Sequence, residues 1–156
     1  ALIAPEDEAR LDAKTREIGL AGLDVPERYG GQGFGALAKC LVVEQLKYSI
    51  VPYVLPPESP NLNYLETCCR GEQIDRYLLP YARGELRACL ALSEAGAGSD
   101  IANIRTRAER RDGRWVLNGE KIWISNARRA DFMIVIAVTD AEKRARGGVP
   151  AMLGCA

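Results

Sequence analysis

The 156 residues are 47% hydrophobic and 27% charged, a globular composition that suits one sizeable core or two small ones and excludes a large multidomain enzyme. Lys and Arg number 21 and Asp and Glu number 21, so the net charge is zero and whole-molecule attraction to nucleic acid or anionic lipid has no support. Histidine is absent, which removes histidine general bases, Ser-His and Cys-His nucleophiles, HExxH peptidases and His-Cys zinc deaminases together.

Five cysteines (Cys40, Cys68, Cys69, Cys89 and Cys155) fall in no repeated spacing, and adjacent Cys68 and Cys69 are poorly placed to pair with each other. A reduced, cytoplasmic setting is expected, and a structural zinc is not. No apolar run approaches the roughly 20 residues that span a bilayer, and no basic stretch precedes a hydrophobic one at the start, so the chain reads as soluble. Both ends read as cut: Ala1 to Ala4 open without methionine, and Met152 to Ala156 come soon after a potential strand start. Residues 1–86 carry 9 basic and 13 acidic side chains, net −4, and residues 87–156 carry 12 and 8, net +4. That division points to two segments.

In chain order, Pro5 followed by Glu6, Asp7 and Glu8 suits a first helical turn, and the pattern through Ala9, Leu11 and Ile18 predicts a helix ending before Gly19. Gly30, Gly31 and Gly33 punctuate the chain. Leu37, Ala38, Leu41, Val42 and Leu46 then predict one side of a helix over about 36–48, and Pro56-Pro57 interrupts the chain beyond it. Leu62, Leu65 and Cys68 or Cys69 recur at helical spacing before Gly71, and Ile74, Tyr77 and Leu78 recur again before Pro80, which is expected to end the run. The pair is a plain αα hairpin; as a DNA reader it would set Glu66, Glu72 and Asp75 against phosphate.

From about Ala88 the period changes. Ile104 to Arg110 alternates small or apolar with charged residues, Asp112-Gly113 makes a tight turn, Trp115 to Leu117 resumes, and Asn118-Gly119 offers a second turn before Lys121 to Ile124. This predicts an antiparallel meander, extended by an apolar strand over Phe132 to Val138 covered on both faces. The expected class is therefore α+β: a helical domain over 1–87 and the first strands of an antiparallel β domain over 88–156.

Two segments carry chemistry. In Leu90-Ala91-Leu92-Ser93-Glu94-Ala95-Gly96-Ala97-Gly98-Ser99-Asp100, glycines permit close approach to exposed N–H groups while Ser93 and Ser99 add hydroxyl donors, a surface suited to a pyrophosphate or another polyoxygen anion. A permissive strand-to-loop connection explains the same composition. Neither GxGxxG nor GxxxxGK[ST] is present, so Rossmann and P-loop readings fail. The second segment is Trp123-Ile124-Ser125-Asn126. An indole can cover a cofactor ring and a hydroxyl can bond its heteroatoms, although Trp123 by itself reads as a core or interface aromatic.

Together these segments resemble the acyl-CoA dehydrogenase family. The family's flavin signature, close to Thr-Glu-Pro-x-Ala-Gly-Ser-Asp, is matched by Ser93 to Asp100, with Ala95 in place of the usual proline. Asn118-Gly119-Glu120-Lys121-Ile122-Trp123-Ile124-Ser125-Asn126-Ala127 resembles the family's Asn-Gly-x-Lys-x-Trp-Ile-Thr/Ser-Asn segment. Gly22 to Gly31 resembles its helical-domain loop and Gln73 to Gly84 its run into the β domain, so the likeness covers nearly the whole chain in family order.

The resemblance implies FAD bound in extended form and oxidation of the Cα–Cβ bond of an acyl-CoA thioester to a trans-2-enoyl-CoA. It implies that Leu90, Leu92 and Ser93 flank the isoalloxazine, that Gly98 and Ser99 approach the pyrophosphate with Ser99 also near the acyl-CoA, and that Trp123 and Ile124 pack by the flavin with Ser125 bonding near N5. It further implies an electron acceptor such as an electron-transfer flavoprotein, a homo-oligomer or a complementing C-terminal chain, and a glutamate base in a C-terminal helical domain outside these residues. No catalytic residue or metal ligand is assigned, and Glu94 is read as a local hydrogen-bonding or charge-balancing group.

Two alternatives stand beside this: a non-enzymatic binding or assembly subunit that completes a flavin site with a partner, and an unrelated β-module binding anions or nucleic acid through Arg105, Arg107, Arg110, Arg111 and Arg114. The arginines lack an interleaved aromatic platform, which favours a solvated strand-turn face.

Overall fold

The computed structural model describes residues 3–143 and 151–155, with backbone alone at 59, 60 and 151–155. The chain divides into two compact units, Ala1–Arg87 and Ala88–Ala156.

The first unit opens with helix α1, Pro5–Glu17, whose first turn carries Pro5, Glu6, Asp7 and Glu8 and whose last carries Lys14 and Arg16, each charge matched to its end of the helix dipole. The chain then folds back on itself: the amides of Gln32, Gly33 and Phe34 donate to the carbonyls of Gly22, Val25 and Leu23. Gly31 is required there, because a Cβ would stand 2.2 Å from the Val25 carbonyl oxygen. Helix α2, Ala36–Lys47, comes next. Its packing side differs from the expected one: Leu37 and Leu41 are 75% and 56% exposed, while Val42, Val43 and Leu46 pack against buried Leu23, Tyr53 and Leu55. Lys39 lies on the same inward side, its largely buried ammonium reaching the Asp24 carboxylate at 2.7 Å and the Pro57 carbonyl at 3.2 Å.

Helix α3 is Ser59–Cys68. The next helical run does not end at Pro80 as expected. A π-turn over Ile74–Leu78 passes directly into α4, Leu79–Ala82. Proline lacks an N–H and its ring crowds the carbonyl four residues back, and the wider turn ahead of it makes the room. Tyr81 is buried beneath this run, its hydroxyl donating to the Glu58 carbonyl and accepting from the Glu58 amide.

A polar knot joins α1 to the rest of the unit. The buried Tyr53 hydroxyl donates to Asp12 at 2.8 Å and lies 3.0 Å from Thr15 Oγ1, and burial pushes the phenol up to about 12. Asp12 also receives Arg87, which reaches Glu8 as well. Tyr53→Phe is expected to cost about 0.5 to 1.5 kcal/mol through the lost hydrogen bonds, since Asp12 keeps Arg87 and the Thr15 hydroxyl keeps the Leu11 and Asp12 carbonyls; an unchanged urea midpoint would contradict this.

The second unit holds a three-stranded sheet of order β1-β4-β5, with β1 Ala88–Ala91, β4 Phe132–Ile136 and β5 Ala151–Cys155, and a separate hairpin of β2 Arg107–Arg111 and β3 Arg114–Asn118. The hairpin turns at Asp112 and Gly113, both at positive φ, as expected of a two-residue turn. The continuous meander is not found. β1 pairs with β4 in parallel, from Ala88 opposite Phe132 to Ala91 opposite Val135, and β5 adds to β4 antiparallel. Lys121 to Ile124 is no strand, because Trp123 takes a left-handed φ of 57° and breaks the extension. Phe132, Ile134 and Ile136 are buried on one face of β4, with Met133 and Val135 half-buried on the other.

Candidate functional site

The two segments singled out in the sequence meet at one carboxylate. Glu94 lies just beyond β1 and closes a tight turn with Ala97 through hydrogen bonds in both directions, leaving Ala95 and Gly96 exposed at the tip. Its Oε2 accepts the Arg105 amide at 2.7 Å, and its Oε1 accepts the Thr106 amide at 2.9 Å, the Thr106 hydroxyl at 2.6 Å and the Lys121 ammonium at 2.8 Å. Lys121 also donates to the Leu92 carbonyl at 2.9 Å, and the Ile122 amide donates to the Ser93 carbonyl at 2.9 Å. Leu92, Ser93 and Glu94 are thus each tied to Lys121-Ile122.

Burial alone would raise the Glu94 carboxyl, but the bonds from Lys121, Thr106 and the Arg105 amide outweigh it and hold the group at about 2 against an ordinary 4.5. A depressed folded-state value contributes stability above the unfolded value, and that contribution is lost as pH falls through the folded one. The urea midpoint is therefore expected to decline between pH 4.5 and about 2, with a shallower decline for Glu94→Gln. Equal slopes would contradict the assignment. Such a group is a weak proton acceptor with its lone pairs engaged, consistent with its reading as a local hydrogen-bonding residue and not a base.

Ala95 occupies the second position of its turn, where proline's fixed φ is favoured, and its N–H makes no hydrogen bond within the described residues. Ala95→Pro is expected to stabilise the fold by about 0.4 to 1 kcal/mol by restricting the unfolded chain, seen as a higher melting temperature; a lower one would rule this out.

Leu90, one of the sequence-predicted residues, lies in β1 and Leu92 just beyond it, both half-buried, with Ser93 held between the two carbonyl contacts of the Lys121 segment. Gly98 and Ser99 are exposed, and Asp100 turns back to cap the next residues, accepting the Ala102 amide and the Asn103 side chain. Ile124 is half-buried and Ser125 exposed, in a turn closed by the Arg129 and Ala130 amides on the Asn126 carbonyl. Of the two places expected for Trp123 taken by itself, core or interface, the structure rules out the core: the residue is 90% exposed. A shallow pocket of about 240 Å³ opens beside the Glu94 turn, lined by Arg105, Thr106 and Gly119 among others, and none of the eight predicted cofactor residues lines it. Thr106 and Lys121 were missed as site residues; Lys121 already stood in the quoted segment, between its turn and its tryptophan.

Open space at Gly96 and Gly98, the exposed Ser99 and the uncovered Trp123 ring fit a flat, anionic cofactor. Gly96 and Gly98 need glycine for no internal reason: neither takes a positive φ, and an added Cβ at either would meet nothing within 4 Å. The space over this loop is free for a ligand, and Trp123 offers an uncovered indole in a conformation that L residues seldom adopt. Among the described residues no group of three His, Cys, Asp or Glu could hold a metal ion, and no helix is long and apolar enough to cross a membrane. The five arginines of the hairpin region are exposed, Arg111 paired with Glu109, a solvated face.

The chain is thus a helical unit followed by a β unit that bears this junction. Residues 4–85 match the family model for the acyl-CoA dehydrogenase N-terminal domain and residues 89–153 that for the acyl-CoA dehydrogenase middle domain; the chain belongs to the acyl-CoA dehydrogenase family. It is 46% identical over 147 residues to (R)-benzylsuccinyl-CoA dehydrogenase of Thauera aromatica, covering 90% of this chain and 36% of that protein. A probable acyl-CoA dehydrogenase of Mycobacterium tuberculosis is 38% identical over 157 residues, covering 93% of this chain and 40% of the relative. Among solved structures, butyryl-CoA dehydrogenase of Megasphaera elsdenii superposes with a TM-score of 0.78 at 29% identity, over 99% of this chain and 41% of its own. The chain thus spans well under half the length of these relatives.

Proposed function

We propose that this chain is the FAD-holding part of an acyl-CoA dehydrogenase, an oxidoreductase that takes two hydrogens from the Cα–Cβ bond of an acyl-CoA thioester and leaves a trans-2-enoyl-CoA. The observation that carries the reading is the junction at Glu94, which ties the Ser93 segment to the segment bearing Trp123 and leaves that indole 90% exposed. Membership of the family supports the chemistry, and the name of the Thauera aromatica relative supports a CoA thioester as substrate.

A bound flavin supplies the two-electron acceptor that such a dehydrogenation needs. Leu90 and Leu92 offer apolar flanks to its ring system, and Ser93 a hydroxyl to the polar edge. The exposed loop at Gly98 and Ser99 would offer backbone and hydroxyl donors to the pyrophosphate, and Ser99 would also lie near the CoA thioester. Trp123 and Ile124 would cover the ring and keep water from it, and Ser125 would offer a hydroxyl to a ring nitrogen. The α-proton goes to a base from another part of the protein, because Glu94 is too weakly basic to take it. An electron-transfer flavoprotein is the proposed acceptor.

The test is an absorbance spectrum of the purified native protein followed by anaerobic addition of straight-chain, branched and aryl-substituted acyl-CoA thioesters. Flavin bands that bleach with at least one thioester support the proposal. A colourless protein that stays colourless after incubation with FAD, alone and with the proteins that copurify with it, overturns it; colour gained only with a copurifying partner would instead favour a complementing subunit.

A further inference from the structure

Building on that reading, we propose that Glu94, Lys121 and Thr106 are positioning residues of the cofactor site, a lock that fixes the register of the Ser93 and Trp123 segments and thereby the attitude of the Trp123 ring. The geometry is specific to that task. Lys121 does not merely neutralise Glu94: its ammonium spans Ser93, bonding the Leu92 carbonyl on one side and the Glu94 carboxylate on the other. The Ile122 amide holds the Ser93 carbonyl itself, so three successive residues of one segment are pinned by two of the other. Thr106 closes the far side of the carboxylate with both amide and hydroxyl.

The pair is nearly dry, with 10% and 9% of the Lys121 and Glu94 side chains exposed. Desolvating two such charges cancels much of their attraction, so a buried pair contributes little net stability; its best-attested use is to specify one register over another. Trp123 depends for its placement on the chain on either side of it, not on packing of its ring. With 90% of its surface exposed, no packing within this unit holds the ring, and its left-handed φ of 57° carries strain that persists only where the neighbouring chain imposes it. Lys121 and Ile122 immediately upstream, and the turn at Asn126 downstream, impose it. A pyrimidine edge at Ser93 and a ring face at Trp123 require the two groups to keep a fixed separation, and the ion pair spans the gap between their segments.

The experiment uses the complete protein with FAD. Glu94→Gln, Lys121→Met and the double variant are compared with wild type for FAD dissociation constant, visible circular dichroism of the bound flavin, and melting temperature of the apoprotein. Each single variant is expected to weaken FAD by roughly 10- to 100-fold, the scale of an ångström-level misplacement, and to alter the flavin dichroism. The double variant should lose little more than either single, because both break one lock. Thr106→Ser, which keeps the hydroxyl, should retain FAD where Thr106→Val loses it; that contrast also serves if a charge variant fails to fold. Unchanged affinity and dichroism in both charge variants would overturn the lock while leaving the flavin assignment intact. Losses that merely track apoprotein melting and vanish on cooling would also overturn it, assigning the pair to the fold alone. A wild-type protein that binds no FAD would overturn the functional reading and the lock with it.

Discussion

Trp123→Ala in the complete protein is expected to weaken FAD binding by roughly 30- to 150-fold, about 2 to 3 kcal/mol from lost apolar area and ring contact, while leaving the folded chain as stable as before. The two halves of this expectation come from one number. A side chain 90% exposed forfeits almost no internal contact when truncated, so the loss falls on whatever covers it in the working protein. Glycine sharpens the test, since Trp123→Gly also relieves the left-handed backbone at φ 57° and should raise the melting temperature of the apoprotein while still costing FAD affinity. An FAD affinity and flavin spectrum unchanged in both variants would remove Trp123 from the site.

Gly119→Ala should do the reverse and strike the fold first. A Cβ at this position would lie 2.5 Å from Thr106 Oγ1 and 2.6 Å from Thr106 Cα, and φ is 153°. Backbone cannot yield as a flexible side chain can, so clash and strain together should cost about 2 to 4 kcal/mol. Because Thr106 holds Glu94 through both its amide and its hydroxyl, FAD affinity should fall as well, in parallel with stability. A denaturation midpoint equal to wild type would contradict the tight approach of Gly119 to Thr106.

What could be read in the residues tracks how local the determining forces are. The start of α1 was legible because Pro5 and three acidic side chains act within one turn, and the hairpin because Asp112-Gly113 suits a left-handed pair. The helix through Pro80 was not, since residue preference alone ends a helix at proline and does not show the wider turn over Ile74–Leu78 that makes room for it. Which side of α2 faces inward was only partly legible, since Lys39 turns inward to Asp24, in a loop 15 residues away, while Leu37 and Leu41 turn out. Parallel pairing of β1 with β4 was invisible for the same reason on a larger scale: alternation marks a strand but not its partner. At the site, the motifs were legible as motifs, and Glu94 was rightly read as a hydrogen-bonding group. Its partners were not, because Thr106 and Lys121 lie 12 and 27 residues beyond it and declare themselves only once the chain has closed.

That parallel pairing also sets an order of events during synthesis. Parallel neighbours cannot be joined by a hairpin, so everything between Ala91 and Phe132 is one long excursion from the sheet and back. Leu92, Ser93, Gly98, Ser99, Trp123, Ile124 and Ser125 all ride on it. Until β4 has left the ribosome and found β1, nothing in the sheet anchors the end of that excursion, and the entropy of closing it must be met before its distant contacts can repay it. The helical unit can therefore fold from residues already emerged, whereas this loop cannot be anchored in its sheet until Phe132 to Ile136 has followed.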